Sequence, residues 1–442
     1  MQSLETTLQQ ATRDLTVSLE QIHAIAKSFK QAMIDGMAGT DETLKMLPSF
    51  LQAPTGRETG QYLAVDFGGT NVRTLVAELD GKGGLSVKNH LSRPLKDPSG
   101  AYDYLAASAS AEELFDFIAE QLAQIAEPSV TYHLGHTFSF PMRQTGVNTA
   151  SLIHWTKEIA TAGVESQDVN QLLQAALHRK GLTNIKPQVI LNDTVGTLLT
   201  SAYSHPGTDI GSICGTGHNT AYLEPKSPLT GGPMVINMES GNFNKKLPLS
   251  NYDRQLDQSS EKPGAQLLEK MVSGRYIGEL LQLIMTDLQK KGLLSHCADK
   301  VTAFLSQPAC FSGADIAVLT GDASGDLTAI AAWLKQRLCI TDSALSDRQA
   351  LATIATLIAT RSARLVAASF VGILQRIDPA LEHNHTIAID GSLYEKLPGY
   401  ADAIHQVLAE VYRDRAHRIV TKLSKDGSGL GAVVAVAIAS RS

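Results

Sequence analysis

LAVDFGGTNVRTLVAEL, residues 63–79, sets an aspartate, two adjacent glycines and a Thr-Asn pair between two apolar runs. Apolar runs of this kind around a glycine pair predict two strands joined by a tight hairpin. Glycine has no Cβ, so such a turn can approach a ligand closely and leave its amide N–H groups free for an anion. An ordinary hairpin and a phosphate cradle both fit the segment taken alone. Asp66 either holds a hydrated Mg2+ that bridges phosphates or only braces the turn. Thr70 and Arg73 have the donors that phosphate oxygens need.

The stretch DIGSICGTGHNTAYLE, residues 209–224, repeats the arrangement of strand, glycine-rich turn with Thr and Asn, and second strand, which reads as an internal duplication of a hairpin. Two further glycine turns, in IAIDGSLY (387–394) and SKDGSGLGAVV (424–434), border apolar segments. Four such turns predict one nucleotide held from several sides. No GxxxxGK[ST] occurs, and GTGHNT lacks the third glycine of a dinucleotide fingerprint and runs into a strand-like AYLE, so P-loop and Rossmann sites are excluded.

The 442 residues suffice for two or three domains at roughly 150 residues each. A hydrophobic content of 43% with 19% charged residues is ordinary for a globular protein. The net charge of -6 gives no electrostatic ground for a nucleic-acid partner. Cys214, Cys297, Cys310 and Cys339 are too scattered for a metal knuckle and read as packed thiols in a reducing compartment. The first residues carry acids and amides where a signal peptide needs a basic start. The apolar run 430–439 is short of the roughly 20 residues that cross a bilayer. A cytoplasmic protein without a membrane partner is the expectation.

Helical spacing of Leu15, Leu19, Ile22, Ile25 and Phe29 predicts a leading helix, broken off by GRETG at 56–60. Ser110 and Glu113 form a capping box ahead of a helix over 110–126 whose apolar face is Leu114, Phe117, Ile118, Leu122 and Ile125. Strands are expected at 131–140 and 186–191, the second ending at Asn192-Asp193 before a helix. Residues 265–292 read as one helix stopped by Lys-Lys-Gly, and another long helix is expected over 347–376.

Read together, LAVDFGGTNVR, HTFSFPMRQTG (136–146), IHWTKE (153–158), VILNDTVGTLLT (189–200), CGTGHNTAY (214–222), INMESGNF (236–243), NYDRQLD (251–257), PGAQLLEKMVSGRYIGEL (263–280), IDGSLY and KDGSGLGA resemble hexokinases of the eukaryotic hexokinase/glucokinase type, in the same order and over nearly the entire chain. The resemblance implies an α/β protein of the actin-like ATPase (ribonuclease H-like) fold, two lobes of duplicated βββαβαβα topology around an interlobe cleft. It implies one catalytic unit: an N-terminal helix and linker (1–61) packing on the large lobe, a small lobe (62–192), a large lobe (193–431) and a C-terminal helix (432–442) returning to the small lobe.

The implied activity is ATP-dependent phosphorylation of the 6-hydroxyl of a hexose, glucose first and mannose or fructose next, at the entry to glycolysis, with closure of the lobes on the sugar. A sugar-responsive regulatory protein with weak or no kinase activity is the alternative. Asp193 would be the general base, or would only cap the helix starting near Thr194. Asn192, Asn219, Glu239 and Glu269 resemble the family's sugar-hydroxyl ligands, though singly the two glutamates read as solvated acids. Ser139, Thr156 and Lys157 resemble residues that close over the sugar, and Lys157 and Arg73 would also steady phosphoryl charge. For the nucleotide the resemblance carries over Asp66, Gly68, Gly69, Thr70, Asn71 and Arg73; Gly215, Thr216 and Gly217; Gly391 and Ser392; and Gly427, Ser428 and Gly429. ATP and Mg2+ are the implied cofactors, with the metal arriving on ATP and reaching Asp66 through water instead of being held by the protein. Partners are limited to the hexose and ATP, in a monomer or homodimer. Where the family commonly reads Glu-Trp-Gly-Ala-Phe, this chain has Glu239-Ser240-Gly241-Asn242-Phe243, losing an aromatic beside an expected sugar ligand.

Overall fold

The protein was analysed as a computed structural model that describes residues 4–156, 159–292 and 298–440; Cys297 lies outside them. The chain opens with α1 (Leu4–Leu15) and α2 (Leu19–Met37), two helices where the apolar spacing predicts one. The break arises at Ser18, which caps α2 in a reciprocal box with Gln21 and satisfies the amides of a new first turn. After the short β1 (Leu47–Pro48) come β2 (Thr59–Phe67), β3 (Asn71–Asp80), β4 (Leu85–Pro94), α3 (Ala111–Ile125), β5 (Tyr132–Phe138), the ribbon β6 (Met142–Gly146) and β7 (Thr149–Leu152), α4 (Val169–Arg179), β8 (Ile185–Leu191) and α5 (Asp193–Ser204). The Ser110–Glu113 capping box is present at the start of α3.

The second half repeats this order on a larger scale. It runs through β9 (Thr208–Cys214), β10 (His218–Glu224), β11 (Met234–Asn237), helices α6 (Asn251–Ser259), α7 (Leu267–Val272), α8 (Gly274–Lys290), α9 (Ala298–Leu305), α10 (Gly313–Gly321), α11 (Thr328–Leu338) and α12 (Leu345–Ile377), then β12 (His385–Asp390), α13 (Ser392–Lys396), α14 (Tyr400–Tyr412), β13 (Ile419–Leu423) and α15 (Gly427–Ala439). The single helix expected over 265–292 is broken at Ser273. There the amides of Gly274 and Arg275 turn aside to donate to the carbonyls of Gly215 and Thr216, at 2.8 and 3.1 Å, so the break serves the second glycine turn. Among the described residues α12 is the one helix long and apolar enough to cross a membrane, and 83% of its most apolar window is buried inside the fold.

Two sheets carry the lobes. One has the order β4-β3-β2-β5-β8 and the other β1-β11-β10-β9-β12-β13. In each, an antiparallel meander (β2, β3, β4; β9, β10, β11) continues into parallel strands (β5, β8; β12, β13). This is the duplicated βββαβαβα topology of the two-lobed actin-like ATPase fold.

The last helix of each repeat joins the lobes. α5 packs on β9 and β10, whereas α15 packs on β2, β5 and β8, and both contribute to one apolar core with Ala64, Ala221, Val235 and the 432–437 run. Glycines set these approaches. A Cβ on Gly211 of β9 would lie 2.7 Å from Leu198 of α5, and one on Gly135 of β5 would lie 2.3 Å from the Ala432 carbonyl oxygen of α15. The two helices meet at Gly196 and Gly431, where a Cβ on Gly431 would lie 2.2 Å from the Gly196 Cα. The helix that holds Asp193 at its start is thereby fixed against the helix that holds Gly427 and Ser428 at its start. α15 is unbroken from Gly427, so the boundary expected at 431/432 falls inside it.

Candidate active site

The first glycine turn sits where β2 ends. Asp66 is buried there, opposite Arg73 of β3 and Thr137 of β5 in the ladder, and its Oδ2 accepts a hydrogen bond from the Ser428 hydroxyl at 2.9 Å. A Cβ on Gly68 would lie 3.8 Å from Ser139 Oγ and 3.9 Å from Asp66 Oδ1, so Ser139, Asp66 and the turn converge. Gly69 has φ +147°, open to glycine at no steric cost. Thr70 and Asn71 are exposed, with the Asn71 amide donating to the Thr70 hydroxyl at 3.1 Å. Trp155 packs on Phe140 and Phe67, at ring-centroid distances of 4.9 and 6.0 Å, and Thr156 after it is half-buried. Lys157 lies outside the described residues.

The other three turns are linked to it by a relay of contacts. Within the second, the Gly215 amide donates to the Gly217 carbonyl at 3.1 Å. Gly391, with φ +121°, lies against it so closely that a Cβ there would be 2.4 Å from the Cys214 carbonyl oxygen. Ser392 opens α13 on the exposed side. Asp390 then accepts from the Gly427 amide at 3.2 Å, tying this pair of turns to the start of α15, whose Ser428 reaches Asp66. Gly429 packs on Asp66 directly, its Cβ position 3.5 Å from the Asp66 Cβ. Burial, with Asp426 and Asp193 nearby adding to it, pushes the Asp390 carboxyl up to about 6. Arg73 crosses the lobes to Asp426 at 3.3 Å, both side chains largely exposed.

On the acceptor side Asn192 caps α5, its Oδ1 accepting from the Thr194 amide at 3.0 Å and from the Thr194 hydroxyl at 2.7 Å. Capping therefore does not need Asp193, the first helical residue, which is half-buried and accepts from the Thr194 amide at 2.8 Å. The Asn219 amide donates to Asn192 at 3.3 Å and to Asn237 at 2.9 Å, while its oxygen accepts from the Ser240 amide at 3.1 Å. Asn237 donates to Glu239 Oε1 at 2.9 Å. Glu269 accepts from the His218 amide at 3.0 Å and flanks Gly217, whose Cβ position is 3.3 Å from its Oε2. Asn192, Asn219, Glu239 and Glu269 thus share one polar cluster with Asp193 at its edge. Neither glutamate is a fully exposed acid: both are half-buried, and the lysine beside Glu269, Lys270, is buried against Asp257 at 2.6 Å.

Ser240, where the family commonly has an aromatic, lies beside His218. The buried His218 ring lies 3.1 Å from the Ile213 carbonyl through Nδ1 and 3.4 Å from the Ser240 hydroxyl through Nε2. Its Nδ1–H donates to the carbonyl, leaving Nε2 to accept. Burial depresses its pKa to about 4, so the ring is neutral beside Ser240 at neutral pH. The sequence reading passed over His218, Asn237, Asp390 and Asp426. Position offers the one signal available: each stands within two residues of a residue it did select.

Models of one family, described as Hexokinase, match residues 7–203 and 209–438. Hexokinase-7 of rice (Oryza sativa subsp. japonica) is 36% identical over 443 residues, covering 94% of this chain and 93% of that one. A crystal structure of a hexokinase superposes with a TM-score of 0.87 at 32% identity, over 98% of this chain and 99% of the other. The hexokinase from Schistosoma mansoni complexed with glucose gives 0.85 at 31% identity, over 99% of this chain and all (100%) of that one.

Proposed function

Because the chain belongs to the hexokinase family and is a hexose-phosphorylating kinase, we propose that it transfers the γ-phosphoryl group of ATP to the 6-hydroxyl of glucose, with mannose and fructose as further acceptors. The carrying observation is the position of Asp193. It adjoins the polar cluster through Asn192 and Thr194 and stands close enough to Asp390, the carboxylate that holds the late turn, to raise its pKa. The similarity to a hexokinase complexed with glucose supports the choice of sugar.

In this reading Asn192, Asn219, Glu239 and Glu269 bind the sugar hydroxyls, and an analogue lacking one of them leaves a buried polar group unpaired. Asp193 takes the proton of the attacking hydroxyl. The glycine turns offer amide donors to the nucleotide, and Arg73 and Lys157 steady charge on the transferring group. Mg2+ bound with ATP would neutralise phosphate charge, with Asp66 as the acid placed to meet it through water. Ser139 and Thr156 close over the sugar and exclude water, which would otherwise compete as acceptor.

The test is ADP release by the wild type and by Asp193→Ala across glucose, mannose, fructose, glucosamine and N-acetylated sugars. Glucose-dependent release that falls by at least ~100-fold in the variant is expected. Equal rates in the two proteins refute the assigned base, and tight sugar binding without turnover by the wild type establishes the regulatory alternative.

A further inference from the structure

Asn237 ends β11, is buried, and has no counterpart among the residues expected to touch sugar or nucleotide. Its side chain nevertheless joins three members of the acceptor cluster, Thr194, Asn219 and Glu239. The amide nitrogen donates to Glu239 Oε1 at 2.9 Å. The amide oxygen accepts from Asn219 Nδ2 at 2.9 Å and faces the Glu239 main-chain amide at 3.5 Å and the Thr194 hydroxyl at 3.4 Å.

Glu239 needs such a grip. Its backbone is left-handed, with φ +53°, a conformation that costs a non-glycine residue free energy and persists only where the surroundings fix it. One side chain, Asn237, holds both the Glu239 carboxylate and its main-chain amide, and Asn242 holds its carbonyl at 3.2 Å. The polarity of the Asn237 amide is dictated by its partners, because a carboxylate can only accept and the Asn219 NH2 can only donate. An aspartate could not serve both sides.

Resting on the hexose-kinase reading above, we infer that Asn237 is the positioning residue of the acceptor site, holding Glu239 in its left-handed conformation and locking it in register with Asn219 and with the start of the helix that bears Asp193. It touches no reacting atom, so its loss appears in sugar affinity more than in nucleotide affinity.

Asn237→Asp is the informative variant, because it replaces the donor facing Glu239 with an acceptor and brings two carboxylates into contact. At high pH they repel; as pH falls they share one proton, and the Glu239 contact re-forms. The other titratable groups facing this site are Glu269 from α7, Asp193 from α5 and His218 from β10, the last neutral through this range. Dividing variant by wild-type values at each pH cancels their contribution. Expected is a hexose KM raised about tenfold or more at pH 8, shrinking toward the wild-type value by pH 6, with the ATP KM changed by less than about twofold. Asn237→Ala carries the test if the aspartate variant fails to fold: it should raise the hexose KM about fivefold at every pH. A variant-to-wild-type ratio for Asn237→Asp that does not change with pH, or ATP and hexose KM values that move together in either variant, overturns the positioning role while leaving the kinase reading intact. A wild type that phosphorylates no hexose removes the reading itself, and the role with it.

Discussion

Gly431→Ala is expected to disable catalysis from inside the core, at a buried residue expected to touch neither sugar nor nucleotide. The added methyl would stand 2.2 Å from the Gly196 Cα and 2.2 Å from its carbonyl oxygen. Carbon atoms settle at about 3.5–4.0 Å from one another, so α15 must retreat from α5 by about 1.3–1.8 Å, and both neighbours are backbone that cannot rotate away. Overpacking of this kind costs roughly 1–3 kcal/mol. The retreat also pulls on the start of α15, where Ser428 holds Asp66 at 2.9 Å and Asp390 holds Gly427 at 3.2 Å; neither bond survives a shift of that size. A misplacement of about 1 Å in a catalytic constellation is worth on the order of 100-fold, so kcat/KM should fall by about that factor, with a thermal midpoint lowered by several degrees. Gly313→Ala is the control, since a Cβ there meets nothing within 4 Å. Steady-state kinetics and thermal unfolding of both variants decide the matter. A Gly431→Ala protein with wild-type kcat/KM and an unshifted midpoint would refute the idea that this crossing sets the distance between the lobes' catalytic elements.

Two further outcomes follow from the carboxylates around the late turn. Asp390 titrates at about 6 in the folded protein, above its ordinary value of 3.8, chiefly through burial. The folded state therefore holds its proton more tightly than the unfolded state, so this group's contribution to stability is fully present below 3.8 and is lost as pH rises through about 6. Asp390→Asn keeps an acceptor for the Gly427 amide without the charge. It should melt above the wild type at pH 7–8 and match it near pH 4, and a melting difference independent of pH would contradict the assignment. Asp426→Asn removes the carboxylate that pairs with Arg73. If phosphate and Asp426 compete for that guanidinium, the KM for ATP falls by about two- to fivefold, a modest change because exposed ion pairs are weak; an unchanged or higher KM shows that Arg73 is not drawn from Asp426 to the nucleotide.

Much of the fold was readable because local chemistry and tertiary demand agree. The hairpin around Gly68 and Gly69, the Ser110 capping box and the long α12 rest on period, turn residues and caps that act within a few positions. Readings failed where a distant partner decides. Nothing near Ser273 reveals that the Gly274 and Arg275 amides are claimed by Gly215 and Thr216. The break at Ser18 is of another kind, because its box partner Gln21 is only three residues on and the Ser-x-x-Gln signature is local. Gly135, Gly196, Gly211 and Gly431 look like weaknesses in strands and helices, yet Gly135 and Gly211 let α15 and α5 settle on their sheets, and Gly196 and Gly431 set the distance between the two helices. Asn237 reads as a polar end to a strand, and its proposed role resides in contacts with α5, with β10 and with Glu239 two residues on. Asn192, Asn219, Glu239 and Glu269 gather into one polar cluster with Asp193 at its edge, whereas Ser139 stands at the first glycine turn and Lys157 lies outside the described residues.

Phosphate placement on the product tests the central claim most directly. Wild-type protein incubated with glucose, ATP and Mg2+ and followed by 31P and 13C NMR should give ADP and glucose 6-phosphate in equal amounts. Phosphate on the anomeric oxygen, or ADP and inorganic phosphate without any sugar phosphate, would contradict it.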